Sequence, residues 1–216
     1  TGQLNVFPLL VDGSGEAFST NPHGLTFDFD THLTPRVWFV TWSRVGSDDP
    51  IGRIWYLDVE PEDSDTPQLV SYNLRSALLD AGLDPEEFFP DRSRVGNGQG
   101  ELHAVSVDAK GNVWISSLSG KQILELDFDR VLDPPQQGTD LNSDQGVLRI
   151  HSLPDIFDNP DSTASNPRHK ESFPHGVETL VDDRTGQTYV YFTARDTGRL
   201  GLLLPAKDDS QKDIWI

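Results

Sequence analysis

The chain has 216 residues, 17 Lys and Arg against 35 Asp and Glu, and a formal net charge of −18. Such a field argues against a nucleic-acid backbone or an anionic membrane surface as partner, and no apolar run approaches the roughly 20 residues that span a bilayer. With no Cys, a disulfide scaffold, a Cys-ligated zinc and a thiol nucleophile are excluded.

There is no Met, so a chain beginning at Thr1 is expected to be processed or to be a piece of a longer protein. No signal-peptide pattern and no Asn-x-Ser/Thr sequon occur. A secreted protein is compatible with these features.

In chain order, the first predicted element is a strand at Gln3–Phe7. A strand at Pro22–Asp28 follows, then aromatic runs at Arg36–Trp42 and Gly52–Leu57, and a fourth strand at Gln68–Tyr72. Leu74, Leu78 and Leu79 share one helical side before Gly82, so 74–90 reads as a helical insertion. The strands resume at Leu102–Asp108, Gly111–Ser117, Lys121–Leu126 and Gly146–Ile150. A last set covers Pro174–Asp182, Thr188–Thr193, Arg199–Leu203 and Lys212–Ile216.

These sets align as a repeat. Pro22-His23-Gly24, Leu102-His103-Ala104 and Pro174-His175-Gly176 open the three units, and Trp38, Trp114 and Tyr191 share one position in the second strands. Four antiparallel strands per unit under a fixed signature predict an all-β fold, a β-propeller. Its blades would cover about 22–73, 102–153 and 174–216, with Gln3–Phe7 as an extra outer strand. Three blades are too few to close a ring, so a six- or seven-bladed ring is expected, completed by missing blades or by self-association.

First strands line the channel of a propeller. His23, His103 and His175 are therefore expected to converge at one mouth, where imidazoles act as base, acid or metal ligand. The alternative is that each His caps backbone groups at a turn. His32, His151 and His169 read as solvated. Glu178, where the other units carry Thr26 and Ser106, is a candidate metal ligand or channel acid, or else one half of a salt bridge; Glu101 could face the same mouth. Trp42, Arg44 and Arg195 end second strands at that mouth and are candidates for stacking on a ligand and for holding a carboxylate or oxyanion. Trp38, Trp114 and Tyr191 read as core between blades. The Asp-rich runs 58–65 and 155–161 lack EF-hand spacing.

The unit Pro-His-Gly-Val, then Asp-x-x-Gly-Asn-Val-Trp-Ile, then a Lys/Arg-x-Ile strand resembles the streptogramin lyase (virginiamycin B lyase-like) family of β-propellers. The resemblance covers about half the chain. It implies a Mg²⁺-assisted elimination that breaks an ester C–O bond in a cyclic depsipeptide. It also implies a His at the start of an inner strand as general base, for which His175 is the best match and His103 the next. The family's Glu after the aromatic strand has no counterpart in Thr41-Trp-Ser43, Ser116-Ser-Leu118 or Thr193-Ala-Arg195, which leaves Glu178 and Glu101 as the acidic residues for a divalent metal, Mg²⁺ or Ca²⁺.

Two function classes follow. One is a metal-assisted lyase or lactone/ester-cleaving enzyme acting on a small-molecule or cyclic ester substrate, with His175 and His103 catalytic, His23, Trp42, Arg44 and Arg195 substrate-binding, and Glu178 and Glu101 on the metal. The other is a non-catalytic propeller that binds a protein or carbohydrate.

Overall fold

In a computed structural model of the chain, the described residues are 21–29, 35–42, 53–59, 68–73, 84, 102–118, 120–126, 148–158, 172–195, 197–206 and 211–216. The predicted strand Gln3–Phe7 and the helical insertion at 74–90, apart from Asp84, lie outside them.

The described residues are all-β, in three four-stranded antiparallel sheets. Sheet 1 runs β1 (Asn21–Asp28), β2 (Arg36–Trp42), β3 (Arg53–Asp58) and β4 (Gln68–Asn73). Sheet 2 runs β5 (Leu102–Val107), β6 (Val113–Ser117), β7 (Gln122–Leu126) and β8 (Leu148–Ser152). Sheet 3 runs β9 (Phe173–Asp182), β10 (Gln187–Arg195), β11 (Arg199–Leu204) and β12 (Ile214–Trp215). Each sheet is a meander in sequence order, so each strand pairs antiparallel with its chain neighbour.

The tightest turn shows how the sequence enforces this. The Asp108 carboxylate accepts the amides of Lys110 (2.8 Å) and Asn112 (3.1 Å), and Gly111 takes φ +88°, a left-handed conformation open to glycine. The other Asp108 oxygen accepts Trp114 Nε1–H at 3.1 Å, which ties the turn to the core. Asp182 and Gly186 (φ +65°) repeat the device in sheet 3.

The sheets pack in series, β1 against β5 and β5 against β9. Side chains alternate across each strand, so sheet 2 feeds two cores. Val105, Val113, Ile115, Leu124 and Leu126 meet Trp38, Val40, Ile54 and Tyr56 of sheet 1. Trp114 and Ile123 meet Val177, Val190, Phe192 and Leu203 of sheet 3. Trp38 and Trp114 are fully buried, as their repeat position predicted; truncating either to Ala would cost about 3–5 kcal/mol. Tyr191 is half-buried, on the face of sheet 3 that no described sheet covers.

Candidate functional site

The three repeated histidines come together. Each sits at a bulge in its first strand. Register shifts fall between His23 and Leu25, between Leu102 and Ala104, and where His175 and Gly176 together oppose Thr193. A bulge adds a residue to one strand and re-aims its side chain. In sheets 2 and 3 a hydroxyl secures it: Ser116 Oγ accepts the Ala104 amide (3.0 Å), and Thr193 Oγ1 accepts the Gly176 amide (2.8 Å).

The re-aimed imidazoles form a row. The rings of His23 and His103 lie 4.1 Å apart between centroids, and those of His103 and His175 lie 3.5 Å apart. His23 Nδ1 is 3.1 Å from the His103 carbonyl, and His103 Nδ1 is 3.1 Å from the His175 carbonyl. A carbonyl only accepts, so both Nδ1 atoms carry the proton and the basic lone pair is on Nε2. Ser116 Oγ–H donates to the same His175 carbonyl at 2.7 Å.

Gly24 permits the close approach. Its φ is +53°, and a Cβ there would stand 2.6 Å from the His103 oxygen and 2.7 Å from Ala104 Cα. The glycine after His23 is therefore a packing requirement between β1 and β5.

The row holds its central ring neutral. His103 is buried, and its pKa is lowered to about 4, first by burial, then by the His175 and His23 rings, with Arg195 adding a smaller effect. The hydrogen bond to the His175 carbonyl opposes this only in part. At neutral pH the centre of the row is an uncharged imidazole that can relay a hydrogen bond but is a weak base.

The other residues singled out from the sequence divide. Arg195 ends β10 with an exposed side chain, close enough for its charge to act on His103. Glu178 is exposed rather than sunk in an apolar strand; its carboxylate accepts Ser106 Oγ–H at 3.3 Å. Trp42 ends β2 opposite Asn21. Arg44, Glu101, His32 and His169 lie outside the described residues. Among the described residues no three His, Cys, Asp or Glu side chains gather as a metal-ligand group.

His151 corrects an expectation. It is buried, not solvated: Nδ1 is 2.7 Å from Asp213 and Nε2 is 3.3 Å from Glu125. Its ring stacks on Trp114 with centroids 5.5 Å apart. Burial alone favours the neutral ring, but the two carboxylates outweigh it and raise the pKa above 6.5. His151 thus clamps the outer part of sheet 2 to sheet 3, and its two carboxylate partners favour the charged ring, in which both N–H groups donate. The sequence signal was slight, because Asp213 is 62 residues away.

At the far end of β5 from the histidines, a cleft of about 330 Å³ opens between sheets 2 and 3 beside Lys110, Glu125 and Arg149. Its cations already cross the seam. Lys110 Nζ donates to the Gly186 carbonyl and to Thr188 Oγ1, and Arg149 donates to the Ala206 carbonyl. Comparisons with known protein families, with curated proteins and with solved structures found no match to this chain.

Proposed function

We propose that the three sheets are blades of a β-propeller and that the histidine row marks the mouth of its channel, where an ester or lactone is cleaved by lyase or hydrolase chemistry. The observation that carries this reading is the row itself: three imidazoles from equivalent positions, in close contact at one end, with the tautomers of His23 and His103 set by main-chain carbonyls.

In this reading the roles within the row differ. His175, half-buried at the end of the row, is the general base, drawing a proton from the substrate carbon or from a water. His103 touches no substrate; buried and neutral beneath His175, it is a positioning residue. Arg195 is the fixed positive charge that holds the substrate carboxylate or the developing oxyanion. Trp42 and Arg44 are proposed as the remaining wall. A divalent cation would fall to Glu178 and Glu101. The Glu178 carboxylate is exposed and engaged by Ser106, which does not fit a metal-ligand set, so no step is routed through a metal.

The test is turnover of a panel of lactones, aryl esters and cyclic depsipeptides by wild type, His175→Ala and Arg195→Gln. His175→Ala should lower kcat at least ~100-fold, the low end of what a positioned base contributes. Arg195→Gln should raise KM for anionic substrates. Absence of turnover across the panel, or a His175→Ala variant as active as wild type, would refute the enzyme reading.

One observation favours the second reading, a non-catalytic propeller that binds a protein or carbohydrate. The Nδ1–H groups of His23 and His103 are spent on carbonyls of the next sheet, which makes the row an inter-sheet clip as well as a site.

A further inference from the structure

The cleft between sheets 2 and 3 lies at the end of β5 away from the histidines, and it holds two cations, Lys110 and Arg149. Lys121 sits on Asp155 and Asp158, and Arg36 lies beside Asp58. Lys110 and Arg149 form no ion pair at all, in a chain with 35 acidic residues.

The register explains Arg149. It lies directly across from Glu125 on the β7–β8 ladder, where opposite charges ordinarily pair. Glu125 turns to His151 instead, at 3.3 Å, and Asp213 does the same at 2.7 Å. The clamp takes up both carboxylates and leaves Arg149 bonded only to the Ala206 carbonyl, at 3.3 Å. The Lys110 ammonium meets only the Gly186 carbonyl (2.6 Å) and the Thr188 hydroxyl (3.2 Å). Asp108, reached through Thr188, is buried and spends its oxygens on main-chain amides and the Trp114 indole.

Both cations are anchored but not exhausted. An ammonium has three N–H groups and a guanidinium five, so with two and one of them engaged, one remains on Lys110 and four on Arg149. The anchors tie each side chain to the opposite sheet, which lowers the ordering cost of binding. The space of about 330 Å³ is at the small end of ligand sites. Pro205 and Ala206 supply its apolar lining. The amide nitrogens of Asn112 and Gln187 donate to Asp108 and to the Thr188 carbonyl, and their oxygens accept from no described residue. Those oxygens suit hydroxyl donors.

The geometry points to this cleft as a binding site for a small hydroxylated anion, its carboxylate or phosphate group held by Lys110 and Arg149 and its hydroxyls donated to Asn112 and Gln187. The site is separate from the histidine row and stands whether or not the row is catalytic. Both cations are exposed, and the chain carries −18, so binding relies on these local donors and weakens as salt is added.

The test is calorimetric titration of the chain at low salt with gluconate, glycerol phosphate, neutral glucose and inorganic phosphate. At least one of the two hydroxylated anions should bind at a single site, and the tighter one assigns the head group. Glucose should bind at least ~10-fold more weakly, because it forgoes the charge-assisted hydrogen bonds. Arg149→Gln and Lys110→Gln, each checked for folding by circular dichroism, should each weaken the bound anion at least ~10-fold. Arg199→Gln removes an exposed cation outside the cleft, one that bonds the Ile156 carbonyl, and should bind as wild type does. The side-chain amide resonances of Asn112 and Gln187 should shift on saturation. No binding of either hydroxylated anion at ~10 mM would overturn the inference, as would glucose binding equally well or a folded Arg149→Gln or Lys110→Gln that binds as wild type. Inorganic phosphate bound as tightly as glycerol phosphate would overturn the role given to Asn112 and Gln187.

Discussion

Two histidines with oppositely shifted pKa values should pull stability in opposite directions away from pH 6.5, His103 on the acid side and His151 on the alkaline side. His103 has a folded-state pKa of about 4 against 6.5 when unfolded. As pH falls from 6.5 to 4, the unfolded chain takes up a proton that the folded chain refuses, so stability is lost on acidification, by up to about 3 kcal/mol at full extent. His151 is raised above 6.5, so its contribution is complete below the unfolded value and is lost as pH rises through the folded one. The physical cause is visible in the clamp. The imidazolium donates to both Asp213 and Glu125, whereas the neutral ring has one N–H and leaves one of the two without a histidine donor. Removing one partner of a fully buried ion pair costs 3–5 kcal/mol; the carboxylates here are 23% and 13% exposed, so we expect about 2–4 kcal/mol for His151→Gln at pH 5.5. The assay is urea unfolding of wild type, His151→Gln and His103→Gln from pH 4.5 to 9, read as differences so that the many other carboxylates cancel. The wild-type advantage over His151→Gln should shrink steadily as pH rises above 6.5, while His103→Gln should flatten the acid limb. A His151→Gln difference independent of pH between 5.5 and 9 would refute the reasoning.

Three further outcomes follow from the same geometry. Gly24→Ala should cost about 2–3 kcal/mol in urea unfolding, because its Cβ would collide with the main chain at His103 and Ala104 in a left-handed conformation that alanine resists. Asp108→Ala should cost about 2–3 kcal/mol, since the buried carboxylate serves two amides and the Trp114 indole, and Trp114 fluorescence should shift as its Nε1 partner is lost. Ser116→Ala should cost about 1–2 kcal/mol, because one hydroxyl both accepts the Ala104 amide and donates to the His175 carbonyl.

The strands were legible because apolar and aromatic runs between Gly, Asp and Pro turns fix both strand position and facing. The structure places β2, β6 and β10 over the predicted aromatic runs, with boundaries shifted by up to two residues. The convergence of His23, His103 and His175 was legible from the repeat alone. What the histidines do once together was not, because the bulges and the links to neighbouring carbonyls depend on how closely one sheet approaches the next. Gly24 carries that information only once the sheet packing is known. The burial of His151 was hidden for a related reason: an outer strand reads as solvated until the Asp213 segment of the following sheet is laid across it. Glu178 was legible as an inner-strand carboxylate that needs a partner; that the partner is Ser106 of the neighbouring sheet, with the carboxylate exposed, depends on the sheet packing.

The measurement that tests the histidine row most directly is a pH titration of the imidazole nitrogens by ¹⁵N-detected NMR, with assignments from His23→Gln, His103→Gln and His175→Gln. The account predicts that His103 remains a neutral Nδ1–H tautomer until about pH 4 and that its resonances move when either neighbouring ring is removed. A His103 that titrates near 6.5, or that carries its proton on Nε2, would contradict the row.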